Sequence, residues 1–248
     1  MKKFTLFLLI IGMYQCVNAQ GTDVGISMGW GITRLRNINT SVRRPDLNPE
    51  VSLAPMIGIR AVHFFTPAIA VEFEADYSLV NQNYDGDSSG TELFEAKDEV
   101  KYLEIPVLFE YTESHIYAEI GPKLSLFTGG FGNMESSPSS SLDYSNLNIK
   151  NGFKSFVLSG VAGAGARFEM AKNLILKAGL RISYGLTDAT KQIPPDEYFA
   201  LAGENKLGMT SKYAHLGIGF TNKYNYKFTT LIRSDLLVSV SYHLPEGK

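Results

Sequence analysis

Strict two-residue alternation of apolar and polar side chains, recurring along most of the chain, is the feature that most limits what this sequence can become. A strand points successive side chains to opposite faces, so such runs describe sheets with two unlike sides, and helical spacing does not produce them. Val24, Ile26, Met28, Trp30 and Ile32 alternate with Asp23, Gly25, Ser27, Gly29, Gly31 and Thr33. Ile69, Val71, Phe73, Ala75, Tyr77 and Leu79 alternate with Ala70, Glu72, Glu74, Asp76 and Ser78. Leu174, Leu176, Ala178, Leu180, Ile182 and Tyr184 enclose Lys177, Gly179, Arg181 and Ser183. Less regular runs near 51–64, 99–112, 115–127, 154–169 and 234–244 bring the number of strands to eight. Residues 212–220 alternate too, but a ninth strand would break the even count. We read them as half of a raised external hairpin with 226–233; the alternative is that they form the final strand themselves.

The connections carry a second rhythm. Thr66-Pro67, Glu113-Ser114 and Ala171-Lys172-Asn173 are tight, whereas 35–50, 81–98, 128–153 and the stretch from 186 onward are long. Short and long connections alternate in barrels that cross an outer membrane, with tight periplasmic turns and large external loops. A water-soluble barrel would turn its apolar face inward. An eight-stranded barrel has an interior only just wide enough for side chains, and the Leu, Ile, Val, Phe and Tyr of the apolar face overfill it. The Gly, Ser and Ala of the other face fit. The expected fold is therefore all-β, an eight-stranded antiparallel up-and-down transmembrane β-barrel. Trp30, Tyr77 and Tyr184 then mark its external aromatic girdle, and Tyr111, Phe168 and Tyr242 its periplasmic one.

Composition narrows the function classes. Hydrophobic residues make up 44% of the 248 and charged ones 19%, too apolar for a disordered chain. The formal net charge of −2 lacks the basic excess of a nucleic-acid binder. Lys2 and Lys3, the apolar run from Phe4 to Ile11 and the small-x-small ending Val17-Asn18-Ala19 describe a secretory signal peptide, residues 1–19, cleaved before Gln20. The barrel domain is then 20–248. Cleavage removes Cys16, the single cysteine, and with it any disulfide or cysteine metal site.

The run Tyr102-Leu103-Glu104-Ile105-Pro106, continuing through Val107-Leu108-Phe109-Glu110-Tyr111, resembles the signature strand of the PorT-like outer-membrane barrels of Bacteroidetes-type bacteria, which share the small OmpA-like barrel fold. Gly121-Pro122 resembles that family's next strand. The resemblance implies an eight-stranded outer-membrane barrel, some of whose relatives are linked to type IX secretion. The chain departs from the common pattern by ending in Leu-Pro-Glu-Gly-Lys rather than on an aromatic residue, which bears on recognition by the barrel-assembly machinery. Physically, Pro106 removes a ladder donor and predicts a bulge or a locally unpaired position.

Alternation assigns Arg60, Glu72, Glu74, Asp76, Glu104, Glu110, Glu119, Lys123, Arg167, Glu169, Lys177 and Arg181 to the interior. Acidic groups gather on the third to fifth strands and basic ones on the fifth to seventh, so they can meet across the lumen. Buried charges need partners, and the expected result is a paired network that plugs the barrel. A narrow ion path is the alternative. No cofactor, metal cluster or catalytic motif is expected: His63, His115 and His243 fall at separate periplasmic strand ends, and His215 stands alone toward the outside. Function then reads as a structural, docking or assembly role, with a passive channel second and a surface enzyme third. The external loops carry Arg34, Arg36, Arg43 and Arg44, then Asp85, Asp87, Glu92, Glu95, Asp98 and Glu99, then the polar stretch Ser136 to Ser141. Expected partners are outer-membrane lipid, lipopolysaccharide phosphates and a protein bound at these loops, around a monomeric barrel.

Overall fold

The computed structural model describes residues 21–37, 47–88, 91–136, 144–191 and 229–244. Ten strands form in chain order: β1 (Thr22–Asn37), β2 (Leu47–Glu50), β3 (Ser52–Phe64), β4 (Ile69–Ser88), β5 (Thr91–Glu113), β6 (Ile116–Ser136), β7 (Tyr144–Asn148), β8 (Phe156–Ala171), β9 (Leu174–Gly185) and β10 (Thr229–Leu244). Eight of them pair antiparallel in the ring β1-β3-β4-β5-β6-β8-β9-β10, and β10 returns to β1. Closure leaves no sheet edge within the ring, the condition for placing strands in hydrocarbon.

The alternation points the way lipid requires. Ile26, Ile59, Leu180 and Ile182 are each more than half exposed, while Glu72, Glu110 and Ser125 have no exposure at all. Trp30, Tyr77 and Tyr184 face outward near the external ends, and Tyr111, Phe168 and Tyr242 face outward near the turns. The turns are tight at 65–68, 114–115 and 172–173. Ser114 and Asn173 turn with positive φ, 57° and 66°, which Asn adopts readily.

Two expectations change and a third narrows. Residues 81–88 and 91–98 are strand rather than loop: β4 and β5 run on as a paired hairpin to Ser88 and Thr91. At about 3.3 Å per residue, the 23 residues of β5 far exceed the apolar band, roughly 25 Å tall, of an outer-membrane barrel. The upper halves of β4, β5 and β6 therefore stand clear of the membrane, flanked by β2 on β4 and β7 on β6. Secondly, Thr229 to Arg233 do not turn away as a hairpin but continue β10 against β1; their proposed partner, 212–220, lies outside the described residues, as does His215. Thirdly, of the two outcomes expected at Pro106, a bulge or a locally unpaired position, the unpaired position is the one that forms. The β5–β6 register does not shift at Pro106, and the ladder to β4 has no pairs between Phe73–Val107 and Asp76–Glu104, so Ile105 and Pro106 stand unpaired on that side. The bulge in this pair lies between Lys101 and Tyr102, where Thr128 is the extra residue and its hydroxyl donates to the Lys101 carbonyl at 3.0 Å.

Candidate functional site: the barrel interior

The lumen is filled from the periplasmic turns upward in layers, each built by strand positions two residues apart. In the lower layer Lys177 of β9 places its ammonium 3.0 Å from Glu72 of β4 and 2.7 Å from Glu110 of β5. Arg60 of β3 holds the same Glu72 carboxylate at 2.5 Å and also donates to Ser239 of β10. Arg181 spans three carboxylates: Glu74 at 2.5 Å, Glu119 at 2.6 Å and Glu72 at 3.6 Å. Lys177 and Arg181 of β9 thus reach β4 on the opposite wall, while Arg60 ties β3 to its neighbour β4 and to β10.

The upper layer repeats the device. Lys123 of β6 pairs with Glu104 at 3.1 Å and donates to Ser183 at 3.2 Å, while Ser125 donates to the same Glu104 oxygen. Arg233 of β10 grips Asp235 at 2.6 Å, reaches Glu104 at 3.9 Å and donates to the Ala54 carbonyl at 3.0 Å. Ser27 donates to Asp76 at 3.2 Å. The structure therefore brings together Arg60, Glu72, Glu74, Asp76, Glu104, Glu110, Glu119, Lys123, Lys177 and Arg181.

Two predicted interior charges lie elsewhere. Arg167 sits at the periplasmic mouth, paired with Asp23 at 3.1 Å rather than with the carboxylates of the layers above. Glu169 is exposed and joins no ion pair among the described residues, because β8 ends in a bulge between Glu169 and Ala171 that lifts it out at the rim. Sequence reasoning also passed over Arg233, Asp235 and Asp23. All three alternate with the outward residues of their strands, so the same pattern held the signal. The histidines are dispersed: His63 stacks edge-on against Phe65, His115 stands in a turn beside Phe168, and His243 turns inward to Asp23 at 2.6 Å.

Above the ionic layers the lumen becomes apolar. Leu35, Val80, Val100, Tyr102, Val157 and Leu231 from the wall meet Ile149, Phe153 and Ala189, which enter from the external connections. A single 3-10 turn, Lys150–Gly152, delivers Phe153, whose ring stacks on Phe127 at 5.8 Å between centroids. Backbone bonds fix the inserted segments to each other: Lys154 N–H to the Ala189 carbonyl at 3.0 Å, and Lys191 N–H to the Gly152 carbonyl at 2.9 Å. Beside this lid Gln82 accepts from the Leu35 N–H at 2.7 Å and donates to the Glu50 carbonyl at 2.8 Å, bridging β1 to β2 where they do not pair.

Chemically this interior is a scaffold of fixed charges. Carboxylate oxygens of Glu72, Glu110 and Glu119 lie within 4.8 Å of one another, a spacing a cation would accept, and Lys177 and Arg181 supply that positive charge from the chain itself.

Comparison with known proteins agrees on the architecture. The outer membrane protein beta-barrel domain family matches residues 18–191. A search of the curated proteins finds no match. Among solved structures the chain is similar to the outer membrane protein OprG from Pseudomonas aeruginosa, with 11% identity, TM-score 0.43, and coverage of 92% of this chain and 98% of that one. It is also similar to Ail, the attachment invasion locus protein of Yersinia pestis, at 11% identity and TM-score 0.36, covering 90% and 99%. Neisserial surface protein A gives 13% identity and TM-score 0.38, covering 90% and 99%. With eight closed strands, a lipid-compatible outer face and a family match over more than half its length, the chain belongs to the outer membrane protein beta-barrel domain family.

Proposed function

We propose that this protein is a sealed barrel whose work is done outside the membrane: a non-catalytic anchor that holds the projecting β4–β5–β6 sheet at the cell surface for docking or assembly. The observation that carries this reading is the double filling of the lumen, a cross-wall ionic network below and an apolar lid above. Neither layer leaves the wide wet bore of a porin, and an apolar constriction excludes hydrated ions. The strand Tyr102 to Pro106 supports placement among PorT-like barrels and an association with secretion, and Met1 to Ala19 supports export with cleavage before Gln20.

Lipopolysaccharide is the lipid partner we assign to the outer rim. Arg34 and Arg36 are exposed on the outer face of β1, directly above Trp30 and Ile32, at the level where headgroup phosphates lie. Solute flux tests the sealed reading. Proteoliposomes carrying the refolded chain 20–248 in an isotonic small sugar should swell no faster than empty ones, and swelling at porin-like rates would overturn it.

A further inference from the structure

The periplasmic mouth holds charged groups that the ionic network leaves unused. A cavity of ≈ 340 Å³ lies there, and its lining includes apolar Phe64, Pro67 and Ile175 together with charged Arg167, Glu169 and Lys172. Arg167 is held in place from two sides: one guanidinium nitrogen donates to Asp23 at 3.1 Å, and the group lies 5.2 Å above the Phe64 ring. Asp23 spends its other oxygen on His243. The Nε of Arg167 is buried and has no hydrogen-bond partner among the described residues. Lys172 and Glu169 likewise have none there, although they stand three residues apart on the same rim.

Backbone bonds and a bulge shape the rim where these groups sit. The β8 bulge leaves Met170 unpaired and redirects the strand end that carries Glu169. Asn173, next to Lys172, accepts the His243 N–H at 2.7 Å and bonds the Tyr242 hydroxyl at 3.3 Å.

We propose that this mouth binds a zwitterionic amino-acid group, one bearing a free carboxylate and a free ammonium. Arginine presents a planar fork of donors that matches a carboxylate, and Lys172 adds a second positive charge beside it. Glu169 receives the ammonium. Phe64, Pro67 and Ile175 give a small side chain an apolar surface, and the cavity has the size of a small-molecule site, at the lower end of roughly 300–1,000 Å³. Free amino acids and the ends of peptides share this chemistry, and both are periplasmic solutes.

The test is an NMR titration of the refolded chain in lipid nanodiscs, following the Arg167 Nε–H resonance. The probes are alanyl-alanine, its N-acetyl form, which lacks the ammonium, and its C-terminal amide, which lacks the carboxylate. The zwitterion should saturate the shift, and each blocked form should bind about tenfold more weakly, the loss expected for one charged contact. Lys172→Gln should narrow the preference over the amide, and Glu169→Gln should abolish the preference over the N-acetyl form. Both sites are exposed at the rim, so the barrel keeps its fold. Free alanine separates the two sources: equal affinity assigns the site to free amino acids, weaker binding to peptide ends. Equal affinity for all three dipeptide probes, or no saturable shift, would overturn the proposal.

Discussion

Tyr117 lies across the lumen-facing sides of Gly165 and Gly179, with the Lys177 ammonium 4.0 Å from its ring centroid. A Cβ at Gly179 would meet the Tyr117 hydroxyl, and one at Gly165 would stand 2.7 Å from the ring edge. Backbone without side chains is what lets an aromatic ring share so narrow a bore with the ion pairs. Gly179→Ala should therefore destabilise the barrel by about 1–3 kcal/mol, as overpacking does, and Tyr117→Phe in the same background should recover part of the loss; urea refolding into lipid reads both. At this scale alternation revealed the side each residue faces but not its height. It placed Glu169 inward correctly in parity, yet the bulge after it sets the residue at the rim, beyond the reach of the network. Asp235 and Arg233 were equally legible by parity: Asp235 falls inside the alternating run near 234–244 and Arg233 just before it.

Each strand in the membrane owes its stability to the hydrocarbon outside it. Leu180 is 67% exposed at mid-strand in β9, where lipid replaces water. Leu180→Arg should cost about 2–4 kcal/mol in a lipid refolding titration, the depth-dependent cost of a cation at the midplane. A cost near zero would place β9 the other way round. The eight membrane strands were legible because one face meets lipid and the other a crowded lumen, and that contrast writes itself as period two. Above the membrane the buried face of β4 and β5 carries polar Gln82 and Asp98 beside Val80, Ala96 and Val100, so the contrast in polarity fades and 81–98 reads as a polar loop although Asn81–Ser88 and Thr91–Asp98 lie in paired strands. The lid was illegible for a related reason: Ile149, Phe153 and Ala189 come from aperiodic connections, and only tertiary packing brings them over the lumen.

Across the whole molecule, opposite walls are coupled through a few cations. Among the described residues Arg181 is the ion-pair partner of both Glu74 on β4 and Glu119 on β6. Arg181→Met should cost about 3–5 kcal/mol, because it leaves buried carboxylates without their partner. Adding Glu74→Gln and Glu119→Gln should return much of that loss, since neutral groups need no counter-charge. Ion flow tests the sealed lumen most directly. The refolded chain 20–248, verified as inserted, is held under voltage in a planar bilayer and its single-channel conductance recorded. The sealed barrel gives a flat baseline at every salt concentration. Steady current steps that scale with salt would contradict it and make the charges of Glu74 and Arg181 the walls of a pore.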